Sequence, residues 1–279
     1  MFNPDLKKIE SSVKRALEED IGLGDVTGEL IDPLKNQEAK LVCREESILC
    51  GSLWFDMAFT LLDPNLKIDW NQAEGDLIKK GDVVAHIEGN AKCMVASERT
   101  GLNFLQMMSG IAYKTHCYQE TLENSKTILL DTRKTLPGLR YEQKYSVLTG
   151  GGQNHRMGLY DAALIKENHI ASAGSISKAI EALRKNKIRT IEVEVENLEE
   201  LKEAIESKAD IAMLDNFIEK DLLKAVEMGK DKIKIEISGN IDQEKLRQYR
   251  SINIDYISSG DLTKNISATD YSLIFNKHY

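Results

Sequence analysis

The second half of the chain alternates strand-like and helical stretches six times, and that regularity limits its possible folds more than any other feature. The segments TILLD, ALIK, TIEVEV, DIAMLD, KIKIEIS and IDYIS are spaced by helical patterns such as SISKAIEALRKN, NLEELKEAIES, IEKDLLKAVEMG and DQEKLRQYR. Short links of this kind produce parallel strands with crossover helices, as a doubly wound sheet or a β/α barrel. TIEVEVEN helps to choose. Its period of two puts Ile191, Val193 and Val195 on one face and Glu192, Glu194 and Glu196 on the other. Three carboxylates would be costly under the apolar helices that cover both faces of a doubly wound sheet, whereas a barrel offers a polar lumen. KIKIEIS repeats the pattern, with Ile233, Ile235 and Ile237 outward and Lys234 and Glu236 inward. The expectation is a β/α barrel with a charged interior.

The first third mixes signals. SSVKRALEED reads as an amphipathic helix with Ser11 or Ser12 near its start, followed by the glycine-punctuated turn GLGDVT. AKLVCREESILCG, LKIDWNQAEGD and GDVVAHIEGN read as short half-buried strands. EGDLIKKGDVVAHIEG resembles the hammerhead of biotinyl and lipoyl carriers, but the carrier lysine turn is missing, which favours a structural β-sandwich piece. The helical segment SERTGLNFLQMMSGIAYKTHCYQETLEN leads into the second half.

Charge narrows the functional classes. The net charge of −8 argues against nucleic acid or an acidic membrane surface as main partner. Thr132 to Lys166 is nevertheless a cationic island, with Arg133, Lys134, Arg140, Lys144, Arg156 and Lys166 against Glu142 and Asp161, and His155 besides. Glu192 to Asp215 reverses the sign, with nine acids against Lys202 and Lys208. Cys43, Cys50, Cys93 and Cys117 are too irregularly spaced for a disulfide framework or a zinc site, and read as small apolar residues in a reducing compartment. The amino terminus lacks the apolar core of a signal peptide and no apolar run is long enough to span a membrane, so the expected location is the cytoplasm.

In a barrel the site lies at the carboxyl ends of the strands. Those ends carry Asp131, Arg133 and Lys134, then Lys166, Asn168 and His169, then Asp215 and Asn216. Ser238, Gly239 and Asn240 follow the fifth strand, and Ser259 and Gly260 the sixth. Loops after the last two strands are the usual phosphate site of a barrel, so a phosphate monoester is the natural guest. Arg133, Lys134, Arg156 and Lys166, with His155, bring more positive charge than an empty lumen can hold, which calls for an anionic ligand. Glu194 and Asp215 supply hard oxygens suited to Mg²⁺ on a polyphosphate or to ribose hydroxyls, or else ion pairs to the lumen cations.

ERTGLNFLQMMSGIA, DTRKTLPGLR, KYSVLTGGGQNHRMGLYDAALIKENH, IEVEVEN, DIAMLDN, IEISGNI and ISSGDLT, in this order, resemble the quinolinate phosphoribosyltransferase family, the carboxylating nicotinate-nucleotide pyrophosphorylases. GDVT and the hammerhead-like strands resemble that family's amino-terminal domain. The resemblance implies an α/β plus α+β chain. An open β/α barrel of parallel strands over residues 109–265 is preceded by an α/β-sandwich domain over 1–108, with the segment 266–279 packing back on that domain. It also implies phosphoribosyl transfer from 5-phosphoribosyl 1-diphosphate to quinolinate with decarboxylation, Mg²⁺ as cofactor, and a homodimer at least, with a hexamer left open. Lys166, Glu194 and Asp215 would be catalytic. Arg99, delivered from the neighbouring subunit, would join Thr132, Arg133, His155, Arg156 and Lys166 on quinolinate. Lys134, Glu194, Asp215, Ser238, Gly239, Asn240, Ser259, Gly260 and Asp261 would hold phosphoribosyl diphosphate, with Glu194 and Asp215 at the metal. Tyr113, Phe217 and Asn240 depart from the family pattern, where threonine, methionine and glycine are usual. Asn at 240 tolerates a left-handed backbone, which keeps the phosphate turn plausible.

Three other readings use the same residues. A Schiff-base lyase would use Lys166 at its strand end. A paralogous branch of the fold, associated with molybdenum transport operons, would share the barrel. A non-catalytic sensor of an anionic metabolite would need the cations but not Glu194 and Asp215.

Overall fold

The structure, a computed structural model, describes residues 4–276. In chain order its elements begin with α1 (Leu6–Ile21), β1 (Asn36–Cys43), β2 (Ser47–Ile48), α2 (Ser52–Thr60), β3 (Lys67–Trp70), β4 (Leu77–Ile78), β5 (Val83–Asn90) and the long α3 (Ala91–Thr121). Next come β6 (Ile128–Leu130), α4 (Arg140–Thr149), β7 (Ala163–Ile165), α5 (Glu167–Ala173), α6 (Ile176–Lys185), β8 (Ile191–Val195) and α7 (Leu198–Glu206). The chain continues through β9 (Ile211–Asp215), α8 (Glu219–Gly229), β10 (Lys234–Ser238), α9 (Gln243–Tyr249), β11 (Tyr256–Ser258), α10 (Asp261–Lys264) and β12 (Tyr271–Phe275).

Two compact units result. Met1–His116, Pro137–Gly151 and Asn265–Tyr279 form the first, and Cys117–Leu136 and Gly152–Lys264 the second. The expected division at 108/109 and the one found at 116/117 both fall inside α3. The final three residues of the segment 266–279 lie outside the described residues.

The first unit is built on a four-stranded antiparallel sheet in the order β12-β1-β5-β3, with a β2-β4 ribbon. Helix α1 starts at Leu6 rather than near Ser11 or Ser12, because the Asp5 carboxylate accepts the Lys7 N–H at 3.0 Å and caps it. Ser12 is buried inside the helix, its hydroxyl donating to the Ile9 carbonyl. Ile9, Val13 and Leu17, four residues apart, share one face and enter the same core as Trp54, Phe55 and Phe59 of α2. Trp54 Nε1–H reaches Glu142 Oε1 of α4 at 3.3 Å. Helix α3 likewise starts earlier than Ser97, since Asn90 Oδ1 accepts the Cys93 N–H at 3.1 Å. Arg140 and Lys144 belong to α4, so the cationic island divides: those two fall in the first unit, Lys144 fully buried, and the remaining cations in the second.

The second unit is the barrel. Its six strands are all parallel, in the order β6-β11-β10-β9-β8-β7, with α6 to α9 as crossovers. β6 and β7 are the two edges, so the barrel is open, and Gln153 bridges to Leu130 on the free side of β6. The alternation seen in the sequence holds for β8: Ile191, Val193 and Val195 are buried, Glu192 is buried and Glu194 half-buried. Two residues depart from it. β8 ends at Val195, which leaves Glu196 in the following loop, exposed. Lys234 opens β10 at its amino end and is exposed, its ammonium donating to Tyr256 Oη at 2.8 Å, so it does not reach the lumen depth of Glu236. Among the described residues no helix is long and apolar enough to cross a membrane, and the four cysteines are thiols, Cys43 and Cys50 buried.

Candidate active site

The carboxyl ends of the barrel strands bring the cations of the second unit together. Asp131, directly after β6, is fully buried and organises the approach: its Oδ2 accepts Asn154 Nδ2–H at 2.6 Å and its Oδ1 the His155 N–H at 2.9 Å. The segment before β7 is thereby fixed against β6, which sets where Arg156 stands. Burial and the neighbouring Arg133 guanidinium lower the Arg156 pKa, while Glu192, Asp161 and Glu194 oppose that effect. Two guanidinium groups are therefore held within interaction range of each other above a set of acids, a costly arrangement unless an anion shares it. Asp161 also accepts the N–H groups of Met157 and Gly158, closing the loop behind Arg156.

Lys166 follows β7 and pairs with Glu194 Oε2 of β8. His169 does not point to this pair. It caps α5 instead, its Nδ1 accepting the Lys166 N–H at 2.9 Å. Asp215 closes β9, its Oδ2 accepting from Asn216 Nδ2 at 2.9 Å. Register puts Glu194 opposite Met213, two residues before Asp215, so Glu194 and Asp215 share the lumen face on adjacent strands. Two half-buried carboxylates there form a hard-oxygen donor set that fits Mg²⁺ carried on a polyphosphate.

The expected phosphate turns have distinct construction. Gly239 has φ +106°, and a Cβ there would stand 2.4 Å from Asn216 Oδ1. Asn240 takes the left-handed conformation, φ 48°, that the substitution of glycine by asparagine permits. Lys245 Nζ donates to the Gly239 carbonyl at 3.1 Å. In the second turn Ser259 uses its groups internally: its hydroxyl donates to the Ile241 carbonyl and accepts the Asp261 N–H, and its own N–H bonds to the Leu130 carbonyl. Asp261 accepts from Tyr118 Oη at 2.6 Å. Ser259 and Asp261 thus shape the turn, and Gly260 lies against Lys134 and Thr132, where a Cβ would touch Lys134 Cδ at 3.1 Å. Thr132 Oγ1 accepts the Lys134 N–H and Thr263 donates to the Lys134 carbonyl, so the backbone carrying this exposed lysine is clamped from both sides. Arg99 stands exposed on α3 in the first unit.

Deeper in the barrel, two of the inward acids of the alternating strands meet His155. His155 Nε2 lies 2.9 Å from Glu192 Oε2 and 3.7 Å from Glu236 Oε2, and the ligand atoms of these three side chains lie within 4.8 Å of one another. Burial pushes the Glu192 carboxyl up to about 7, and burial plus the Glu192 charge pushes Glu236 up to about 8. Both acids occupy the alternating pattern that identified the barrel, Glu192 three residues before the end of β8 and Glu236 two before the end of β10. A cleft of about 920 Å³ opens at the opposite, amino-terminal end of the strands beside Ile211, Lys234 and Tyr256. It has none of the guanidinium groups that gather at the carboxyl ends.

Comparison with known proteins agrees with this geometry. The family model described as quinolinate phosphoribosyl transferase, N-terminal domain, matches residues 25–109, and the corresponding C-terminal domain matches residues 111–274. The chain is 40% identical over 257 residues to the probable carboxylating nicotinate-nucleotide pyrophosphorylase of Bacillus subtilis, covering 91% of this chain and 89% of that one. It is 39% identical to the chloroplastic carboxylating enzyme of Arabidopsis thaliana, covering 96% and 82% respectively. Among solved structures, the nicotinate-nucleotide pyrophosphorylase of Francisella tularensis superposes with a TM-score of 0.95 at 42% identity over 98% of both chains. NadC from Streptococcus pyogenes does so with 0.94 at 37% identity, again over 98% of both. With both domain models matched in order and relatives alike over nearly their whole length, the chain belongs to the quinolinate phosphoribosyltransferase family.

Proposed function

We propose that this protein transfers the phosphoribosyl group of 5-phosphoribosyl 1-diphosphate to the ring nitrogen of quinolinate with loss of carbon dioxide, forming nicotinate mononucleotide and diphosphate for NAD synthesis. The observation that carries the reading is the grouping of Arg133, Arg156 and Lys166 over the acids Glu192 and Glu194 at the carboxyl ends of an open barrel. Quinolinate has two carboxylates on a neutral pyridine. A single cation would accept nicotinate as well, whereas several favour the dianion, so selectivity is largely a matter of charge. Arg133 and Arg156 offer planar two-pronged donation to carboxylates, with the Thr132 hydroxyl beside them, and Lys166 a point charge that a substrate carboxylate draws from Glu194.

Lys134 and the turns at Ser238–Gly239–Asn240 and Gly260 take the phosphates of the second substrate, with Ser259 and Asp261 holding the latter turn in shape. Glu194 and Asp215 would hold Mg²⁺, which when bound on the diphosphate neutralises the leaving group. The pyridine nitrogen forms its bond to the ribose anomeric carbon as the carbon–oxygen bond to diphosphate breaks. The ring nitrogen is then formally positive and stabilises the carbanion left on the adjacent ring carbon when its carboxylate departs as carbon dioxide, after which that carbon takes a proton from solvent. The lumen acids stabilise the oxocarbenium character of the ribose during transfer.

We further place the enzyme in the cytoplasm, as a homodimer at least, with Arg99 of one copy completing the quinolinate pocket of the other. The small number and irregular spacing of the cysteines support a reducing compartment, and the exposure of Arg99 on α3 leaves it open to a second copy. The test is an assay of the purified protein with quinolinate, phosphoribosyl diphosphate and magnesium, with nicotinate as parallel substrate. Product from quinolinate alone is expected. Product only from nicotinate would overturn the two-carboxylate pocket, and no product from either would favour the molybdenum-operon paralogue or the sensor.

A further inference from the structure

His155 is tied to protein groups through both ring nitrogens. Nδ1 accepts the backbone N–H of Arg156 at 2.8 Å, and Nε2 faces the Glu192 and Glu236 carboxyls. A neutral imidazole carries one N–H and one acceptor nitrogen, so acceptance at Nδ1 places the proton on Nε2, where it is donated to Glu192. The three side chains are almost wholly enclosed, at 11%, 6% and 1% exposure for His155, Glu192 and Glu236. A histidine between two carboxylates also has the composition of a cation site, but a metal on Nε2 would require the proton on Nδ1 and would break the bond to Arg156. Hydrogen-bond directions therefore select a proton network over a metal site.

We propose that His155 is a positioning residue rather than a ligand of the substrate: Glu192 and Glu236 hold it as the Nε2–H tautomer, and its Nδ1 fixes the amide of Arg156, and so the guanidinium that receives a carboxylate. Asp131 completes the device from the other side by binding the His155 N–H, so that residues 154 to 156 are held at three points. The part played by Arg156 rests on the quinolinate reading. The tautomer and its anchoring do not.

Two measurements test it. In the full-length protein labelled with ¹⁵N-histidine, the His155 signals, assigned by their loss in His155→Gln, are expected to show a protonated Nε2 and a bare Nδ1, unchanged on adding quinolinate. A proton on Nδ1, a doubly protonated ring, a shift of the Nε2 signal with quinolinate, or selective broadening by Mn²⁺ alone would overturn the proposal. The second measurement compares His155→Asn, which keeps an acceptor near the Nδ1 position, with His155→Leu, which does not. The asparagine variant should keep its KM for quinolinate within about threefold, and the leucine variant should raise it about tenfold or more with a smaller change in kcat. Equal impairment of both variants would mean that the ring itself touches substrate. If the native protein does not turn over quinolinate, the functional reading fails while the spectrum still decides the tautomer.

Discussion

Replacing Gly239 with alanine should damage stability and phosphoribosyl diphosphate binding together, and the structure gives both magnitudes. At φ +106° an L-residue is held outside its allowed basins, at a cost of about 1–2 kcal/mol. The new methyl would also sit 2.4 Å from Asn216 Oδ1, 2.9 Å from its Cγ and 3.1 Å from its backbone nitrogen. Asn216 must rotate away, which breaks the bond from its Nδ2 to Asp215 at 2.9 Å and adds about 1 kcal/mol. The total of about 2–3 kcal/mol corresponds to a Tm lower by about 4–12 °C, at about 2–4 °C per kcal/mol. Because the displaced partner orients Asp215, the KM for phosphoribosyl diphosphate should rise about tenfold while that for quinolinate changes little. Calorimetry and two-substrate kinetics on Gly239→Ala measure both effects. The double variant with Asn216→Gly separates the causes, since residue 216 has φ 53° and accepts glycine without strain. It removes the clash but neither the strain at residue 239 nor the loss of the bond to Asp215, so its stability and affinity should stay close to those of Gly239→Ala. A Gly239→Ala protein that melts with the native enzyme would refute the steric argument, and one with lowered Tm but native KM would remove Asp215 from the diphosphate site.

Asp56 supplies a pH test. Burial raises its carboxyl from 3.8 to about 6, partly offset by the Trp70 indole N–H at 2.9 Å. The folded state then binds the proton more tightly than the unfolded chain, so stability should decline as pH rises from about 4 to about 6 and level off above. The shift bounds the effect at about 3 kcal/mol, and partial exposure reduces it to about 1–2 kcal/mol. Asp56→Asn should flatten that part of the native curve and be the more stable protein at pH 7.5 in urea titrations; an unchanged slope would show that the carboxyl is well solvated. Arg156→Lys keeps the charge but loses two-pronged donation, and should cost about 10- to 100-fold in kcat/KM for quinolinate, against about tenfold or less if only charge matters. Mixing Arg99→Ala with Lys166→Ala protein, each inactive alone, should restore about a quarter of native activity once subunits exchange at random. Exchange without recovered activity would sink the shared pocket.

The legible and illegible parts of this molecule differ for definite reasons. Alternation in IEVEV and KIEIS reports which face a residue occupies, and so revealed the barrel. It does not report height along the barrel axis. That is why Lys234, at the amino end of β10, looks equivalent to Glu236 in the sequence, and why the pattern does not separate the buried Glu192 and Glu236 from Glu194 at the mouth. Arg140 and Lys144 lie close in sequence to Arg133 and Arg156, yet Pro137–Gly151 leaves the barrel and joins the first unit, a long-range decision with no local signature. Helix starts were misplaced where a cap stands before the amphipathic pattern becomes clear, as at Asp5 and Asn90. The hydrogen bonds of Ser259 and Asp261 could not be foreseen, because a Ser-Gly-Asp turn reads the same whether its side chains face a ligand or its own backbone.

The pairing of β12 with β1 has a consequence for the order of assembly. β1 occupies residues 36–43, but its outer neighbour, residues 271–275, leaves the ribosome after every barrel strand. During synthesis β1 therefore waits as an exposed edge, with Ala39 to Cys43 offering unpaired backbone groups for the time taken to make more than half the chain. Chaperone dependence during synthesis should centre on this strand, whose outer partner is the last of the described strands to be made.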